Sequence, residues 1–242
     1  MKPSLYTCLS PALLHLLEVE SSIVVIIDVL RATSTIATAL YNGAESIIPV
    51  DSVAECISLG KGSGMITAGE RDGQIAEGLE YGNTPFQYTP EFIKGKTLVL
   101  TTTNGTKLLH MARARNAKNI ITGSFPNLNS VCTYLIKQNQ PVILACAAWK
   151  DKINIEDTLF AGAVIESIKE NFSINCDASQ IAESLYKEAK PDLFNFMKIK
   201  NASHYHRLMN FGLEKDIRFC LSSNVSDILP FYENGKLIRK EI

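Results

Sequence analysis

Short apolar runs alternate along the chain with longer segments in which apolar residues recur at helical spacing. The first run begins at Ile23 and ends at Asp28, and an Ala-rich helical pattern follows it up to Leu40. Five further runs predict strands, namely Ser46–Val50, Met65–Ala68, Thr97–Thr101, Asn119–Thr122 and Val142–Ala147. Helical spacing appears between and after them, in Ser52–Leu59, Thr106–Ala114, Leu128–Gln138 and Ile155–Glu170. This alternation predicts an α/β fold of three layers, with a mostly parallel sheet and helices on both faces.

The pattern changes after residue 175. Two helices are predicted there, Ala178–Lys200 with a break near Pro191 and His204–Cys220, and a short hairpin closes the chain. Its strands are Ser226–Tyr232 and Lys236–Arg239, with Asn234-Gly235 as a type I′ turn. We expect residues 1–242 to form a single compact α/β unit. The alternative is a tightly packed subdivision near residue 175, into a phosphate- and metal-site half (1–175) and a C-terminal helical half (176–242).

Composition narrows the partners that the chain could have. A formal net charge of -1 gives no reason to expect a nucleic acid or an anionic membrane as partner. The apolar N-terminal patch is interrupted by Pro11, His15 and Glu18, so it is not typical of a signal peptide. The six cysteines are scattered without metal-ligand spacing, which favours free thiols in a cytoplasmic protein. The size is compatible with a homodimer.

The loop after the first predicted strand carries the first candidate chemistry. Asp28 ends that strand, Arg31 follows in the loop, and Thr33 and Ser34 stand at the start of the helix. A helix N-terminus with a nearby arginine is an anion site, since its backbone N–H groups are unpaired and the dipole is positive there. The alternative is that Thr33 or Ser34 only caps the helix and that Arg31 lies at the surface.

Polar residues also follow the other predicted strands, and all of these strand ends should open on one side of the sheet. Such loops suit a polyanion with a divalent cation, because arginine binds phosphate and carboxylates bind magnesium. The residues concerned are Glu70 and Arg71, then Asn83, then Thr102, Thr103, Asn104, Gly105 and Thr106, then Ser124 and Asn127, and finally Glu156 and Asp157.

Each of these features also has a purely structural interpretation. Glu156 and Asp157 at a helix start would complement the helix dipole, and Gly105 would only turn the chain. The histidines are expected to lie away from these loops, and His204 and His206, two residues apart, are expected at the surface.

Taken together, the motifs DVLRATSTIATAL, AGERDG with GNTP downstream, TTTNGT, GSFPN and the pair Glu156-Asp157 resemble the 2-phosphosulfolactate phosphatases. These are magnesium-dependent enzymes on the route to coenzyme M. The resemblance implicates the strand-end residues named above as site residues. It also makes Asp216–Cys220 the last family element, in which Arg218 would add a third cation to the substrate site.

The function expected from this resemblance is Mg²⁺-dependent hydrolysis of the phosphate monoester of a small acidic metabolite. Asp28, Arg31 and Glu70 are the catalytic candidates, and Asp28, Glu156 and Asp157 are the metal candidates. The remaining residues are candidates for binding the substrate, which is expected to be 2-phosphosulfolactate. The alternatives are a phosphatase for another small phosphorylated hydroxy acid and a non-catalytic binding protein for an anionic metabolite.

Overall fold

The structure of the chain is a computed structural model, which describes residues 1–71 and 73–242. One ten-stranded sheet runs through it in the order β1-β8-β2-β7-β9-β10-β3-β6-β4-β5. The strands are β1 (Leu5–Cys8), β2 (Ile23–Ile27), β3 (Ser46–Val50), β4 (Ile66–Arg71), β5 (Gln74–Ile75), β6 (Thr97–Thr101), β7 (Asn119–Gly123), β8 (Val142–Cys146), β9 (Leu229–Glu233) and β10 (Lys236–Lys240).

Ten α-helices accompany the sheet in the described part of the chain. They are α1 (Ala32–Tyr41), α2 (Val53–Gly60), α3 (Pro90–Ile93), α4 (Gly105–Ala114), α5 (Leu128–Gln138), α6 (Ile155–Ile168), α7 (Asp177–Ala189), α8 (Leu193–Ile199), α9 (Ser203–Asn210) and α10 (Glu214–Cys220). Four short 3₁₀ turns lie at Pro11–Leu16, Pro85–Gln87, Phe125–Asn127 and Lys169–Asn171. None of the described helices is long and apolar enough to cross a membrane.

Helices cover both faces of the sheet, as the sequence predicts. Side chains alternate along a strand, so Ile23, Val25 and Ile27 of β2 point into a core shared with α5, α6 and α7. Val24 and Ile26 point the other way, into a core shared with α1 and α4. All five residues of β2 are buried, which explains the unbroken apolar run. The predicted fold class is confirmed.

The C-terminal hairpin lies inside the sheet. It joins a parallel group, β1-β8-β2-β7, to a second parallel group, β3-β6-β4. The type I′ prediction is confirmed, because Asn234 (φ 50°) and Gly235 (φ 84°) are both left-handed. Neighbouring strands are rotated by roughly 20–25°, and this twist accumulates through the hairpin. Pairing through the hairpin makes the two groups run in opposite senses, so the expectation that all the strand ends open on one side of the sheet does not hold across the hairpin. Residues at the ends of β2, β4 and β6 nevertheless meet in one pocket.

Several elements differ from the predictions, among them the short strand β5 and the short helix α3, which the pattern did not indicate. Leu5–Cys8 forms strand β1 at the edge of the sheet, paired in parallel with β8, although its sequence shows little more than an apolar patch. The segment predicted as one helix over His204–Cys220 is two helices, because Gly212 has a φ of +71° and ends the first. The predicted break near Pro191 is confirmed, since α7 ends at Ala189 and α8 begins at Leu193. A subdivision near residue 175 stays a prediction.

Candidate active site

Loops from distant parts of the chain line one pocket of about 460 Å³, counting its open mouth. Six predicted site residues are brought together there, from the loops after β2 and β6, the end of β4 and the segment after β5: Asp28, Arg31, Glu70, Asn83, Thr103 and Asn104. The helix α9 and the loop after β8 supply further walls. The other lining residues are Leu30, Gly73, Trp149, His204, Arg207 and Leu208.

Asp28 lies between the N-termini of two helices. The Ala32 N–H, at the start of α1, donates a hydrogen bond to its carboxylate. At the start of α4, a Cβ built on Gly105 would lie 2.8 Å from Asp28 Oδ2, so only a glycine leaves room for the carboxylate. Burial raises the pKa of Asp28 to about 6; the charges of Glu70 and Glu156 add to this rise, and His204 opposes it. The carboxylate is therefore a stronger base than an exposed aspartate.

The close approach of Gly105 to Asp28 predicts the effect of Gly105→Ala. The added methyl group must displace the Asp28 carboxylate, and a displacement of about 1 Å at a reacting group costs up to about 100-fold in rate. We expect kcat to fall about 10- to 100-fold while the melting temperature changes little, since alanine favours the helix. Lys107→Ala, on the exposed side of the same helix, is the control and should retain full activity. An unchanged kcat for Gly105→Ala would show that the position of Asp28 is unimportant.

Arg31 is anchored by the C-terminal part of the chain. Its Nη1 donates to Asp216 Oδ2 of α10 at 2.6 Å, and its Nη2 donates to the Gly73 carbonyl at 3.2 Å. Both side chains of this ion pair are buried. The guanidinium therefore has a fixed orientation at the pocket wall, and α10 contributes to the site through Asp216, whose pairing with Arg31 the sequence pattern did not indicate.

Glu70 fastens two loops to each other. Its Oε1 accepts hydrogen bonds from the Thr103 N–H (3.1 Å) and hydroxyl (2.9 Å), and its Oε2 accepts one from the Gly73 N–H (2.8 Å). Arg71 is the next residue along β4 and points away from the pocket, where its Nη2 donates to the Thr101 hydroxyl at 3.1 Å. The structure thus does not bring Arg71 to the pocket.

Glu156 and Asp157 begin α6 and are both buried. Asp157 accepts hydrogen bonds from backbone N–H groups of two loops, from Val29 to Oδ1 (3.0 Å) and from Ala148 to Oδ2 (3.1 Å). Glu156 Oε1 lies 2.6 Å from His204 Nδ1. The prediction that His204 lies at the surface, away from these loops, is wrong. The sequence does contain a signal for this position: His204, Arg207 and Leu208 have the i, i+3, i+4 spacing of residues that share one face of a helix.

Several predicted substrate contacts instead shape the loops. These side chains are buried, and their hydrogen bonds run to neighbouring groups of the protein. The Thr33 hydroxyl accepts from the Asp28 N–H (3.2 Å), and the Ser34 hydroxyl donates to the Val29 carbonyl (2.8 Å). The Thr102 hydroxyl accepts from the Thr106 N–H (3.3 Å), and the Thr106 hydroxyl donates to the Thr102 carbonyl (3.1 Å). Asn127 Oδ1 accepts from the Ser124 N–H (2.9 Å). None of the six side chains lines the pocket.

Arg218 does not supply a third cation to the pocket. Its side chain is 56% exposed, its Nε donates to Glu214 Oε1 at 2.8 Å, and its guanidinium lies 3.6 Å from the Phe194 ring centroid. The second arginine of the pocket is Arg207 of α9, whose guanidinium lies 3.9 Å from the ring centroid of Trp149. The single helix predicted over His204–Cys220 includes this residue, but the pattern did not indicate that Arg207 lines the pocket.

The chemistry of the pocket fits a hard divalent cation. Asp28 lines the pocket, whereas the predicted metal residues Glu156 and Asp157 are buried and are not among its lining residues; Glu156 contacts the pocket residue His204. Burial and repulsion from Glu156 and Asp28 raise the pKa of Asp157. Glu156 Oε2 and Asn83 Oδ1 are buried acceptors that no hydrogen bond of the protein satisfies. Within residues 1–71 and 73–242, no three His, Cys, Asp or Glu side chains cluster as a complete metal site. Magnesium does not require one, because it is usually held by one or two carboxylates with water and substrate oxygens.

Fold and pocket together define a class of protein. It is an α/β enzyme whose site lies at strand ends. The site combines helix N-termini, arginines and a carboxylate of raised pKa, the groups that suit hydrolysis of a small phosphate ester.

Comparison with known proteins identifies the family. A family model described as 2-phosphosulpholactate phosphatase matches residues 8–235. A relative from Thermotoga petrophila is 42% identical over 223 residues (92% of this chain, 94% of the relative), and one from Caldanaerobacter subterraneus is 39% identical over 222 residues (90% of each). A third, from Clostridium acetobutylicum, is 35% identical over 225 residues (91% of this chain, 94% of the relative). All three are named probable 2-phosphosulfolactate phosphatases.

The chain belongs to the 2-phosphosulfolactate phosphatase family. It is accordingly a phosphoric monoester hydrolase, and its substrate is a small phosphorylated molecule. A divalent metal is consistent with that class. The resemblance seen in the sequence is confirmed.

Proposed function

We propose that the enzyme hydrolyses 2-phosphosulfolactate to sulfolactate and phosphate, with Mg²⁺ as its cation. The observation that carries this proposal is the position of Asp28, a buried carboxylate between two helix N-termini in a pocket that also contains Arg31 and Arg207. The family supports the same substrate, because the relatives named above carry it in their names.

The phosphoryl group binds where positive potential is concentrated. The N-termini of α1 and α4 direct N–H groups and the positive ends of their dipoles towards the space around Asp28. Arg31 lies beside them with its orientation set by Asp216, and a planar guanidinium can hold two phosphoryl oxygens at once. These groups stabilise the charge that develops on the phosphoryl oxygens during the reaction.

Asp28 performs the proton chemistry. It orients the attacking water and takes a proton from it as the water oxygen bonds to phosphorus and the bond between phosphorus and the ester oxygen breaks. The proton then passes to the leaving oxygen, which becomes the hydroxyl of the product. A carboxylate with a pKa of about 6 suits this role better than one with the ordinary value of 3.8, because a base works best when its pKa is near the working pH. Glu70 acts by positioning Thr103 and Gly73, since the hydrogen bonds of its carboxylate to the described residues go to these two.

Glu156 would hold the Mg²⁺, which leaves the Asp28 carboxylate to act as the base. Glu156 offers the unsatisfied Oε2, and Asp157 keeps the loops around Val29 and Ala148 in place beside it. When bound, the cation would neutralise charge on the phosphoryl oxygens.

A phosphate-release assay tests the proposal. With Mg²⁺ present, we expect kcat/KM to be highest for 2-phosphosulfolactate and lower for 2-phospholactate and phosphoglycerate. Excess chelator should abolish turnover, and added Mg²⁺ should restore it and raise the melting temperature, since a ligand that binds the folded state stabilises it. Faster release from another substrate would identify a phosphatase for a different phosphorylated hydroxy acid. Full activity in chelator would rule out the metal.

A further inference from the structure

The two arginines of the pocket are held in different ways. Arg31 is three residues from Asp28 and is fixed by Asp216 and the Gly73 carbonyl. Arg207 comes from α9 and stacks on Trp149 of the loop after β8. Arg31 thus belongs to the wall that carries the reacting carboxylate, and Arg207 belongs to a separate wall.

The platform under Arg207 is the Trp149 ring, which lies in a hydrogen-bonded loop. Trp149 and Lys152 exchange two backbone hydrogen bonds of 2.9 and 3.0 Å, which close the loop tightly. The Lys150 ammonium also lies over the Trp149 ring, at 4.5 Å from its centroid. A guanidinium stacked on an indole keeps its N–H edge in one plane, the arrangement that suits a bidentate oxyanion.

Arg207 lies further along α9 than His204 and therefore away from the reacting centre. His204, which contacts Glu156, precedes Arg207 by three residues, so the two side chains are one turn apart on the same face, about 4.5 Å along the axis. The apolar side chains of Leu30 and Leu208 also line the pocket. In 2-phosphosulfolactate an oxygen and two carbons separate the phosphorus from the sulfonate sulfur. Because Asp28 and Arg207 line the same pocket, a substrate whose phosphoryl group is held at Asp28 can extend its sulfonate towards the α9 wall.

We propose that Arg207, oriented by Trp149, binds the sulfonate of the substrate and is the residue that selects it. This inference rests on the proposed function. It assigns the phosphoryl group to the Asp28 and Arg31 wall and the sulfonate to the α9 wall, with the carbon chain against the leucines.

The test compares two substrates that differ only in the sulfonate, 2-phosphosulfolactate and 2-phospholactate. Loss of a charged hydrogen-bonding partner costs about 10- to 100-fold. We expect Arg207→Met to lower kcat/KM for 2-phosphosulfolactate by that factor, mainly through KM, and to leave kcat/KM for 2-phospholactate nearly unchanged. Inhibition by sulfolactate should weaken in the same variant, while inhibition by inorganic phosphate should not.

Arg113→Met is the matched control, because Arg113 lies on α4 away from the pocket and bonds the Tyr232 hydroxyl. It should leave both substrates unaffected. If Arg207→Met does not fold, Arg207→Lys replaces it. The preference of this variant for the substrate with the sulfonate should also fall, since an ammonium does not offer two parallel N–H groups and does not stack on a ring as a planar guanidinium does. Equal losses for both substrates, or unchanged inhibition by sulfolactate, would overturn the assignment. Failure of the wild-type enzyme to release phosphate from 2-phosphosulfolactate would instead refute the proposed function.

Discussion

Replacing Asp28 by asparagine is expected to reduce phosphate release by about 10²- to 10⁴-fold, the usual contribution of a general base. Asparagine keeps the shape of the side chain and can still accept the Ala32 N–H, but it cannot take a proton from water. Steady-state phosphate release with saturating Mg²⁺ measures the effect. Asp51→Asn is the control, because that carboxylate is exposed and pairs with His110 outside the pocket.

The same variant should be more stable than the wild type when Mg²⁺ is absent. The pKa of Asp28 is higher in the folded chain than in the unfolded chain, so its ionised form costs stability, and this cost grows as the pH rises from about 4 through about 6. Removing a buried charge that lies near other carboxylates therefore raises the melting temperature at neutral pH. Wild-type turnover in Asp28→Asn would eliminate Asp28 as the base, whatever the melting temperature.

Replacing Arg31 by alanine is expected to lower kcat/KM by about 10²- to 10³-fold, since one preorganised donor to a developing oxyanion contributes about that much. Stability should fall as well. The change leaves Asp216 buried without its cation, and breaking a buried ion pair costs about 3–5 kcal/mol. Phosphate release and denaturant unfolding measure the two effects separately.

The double variant Arg31→Ala/Asp216→Asn separates binding from folding. Removing the orphaned charge should recover much of the lost stability, while activity stays low because the guanidinium is still missing. Asp216→Asn alone should lower activity less than Arg31→Ala, since the guanidinium remains but its orientation is less well fixed. If the double variant regained activity together with stability, Arg31 would be a structural residue only.

The local pattern of residues was sufficient to predict most of the elements. The apolar run at Ile23–Ile27, the turn at Asn234-Gly235 and the break near Pro191 each depend on a few neighbouring side chains, and the structure contains all three. The edge strand β1 was missed because it is only four residues long and is stabilised by pairing with β8. The break in the last helical segment was missed because one glycine decides it.

The strand ends predicted part of the site, although Thr102 and Ser124, which follow β6 and β7 directly, do not line the pocket. Asp28, Arg31, Glu70, Thr103 and Asn104 meet in one pocket because strand ends converge. Predictions of individual side-chain direction were less successful, as Arg71 shows. Neighbouring residues on a strand point to opposite faces, and a single residue of register decides which of the two faces the pocket.

By itself, the sequence determined the α/β class, the family and the loops that carry the chemistry, because these depend on periodicity and on contiguous motifs. Only the tertiary structure decided which charges meet. The pairing of Arg31 with Asp216, of Glu156 with His204 and of Arg207 with Trp149 joins residues 185, 48 and 58 positions apart. Such contacts depend on how α9 and α10 pack against the strand ends, which no local pattern encodes.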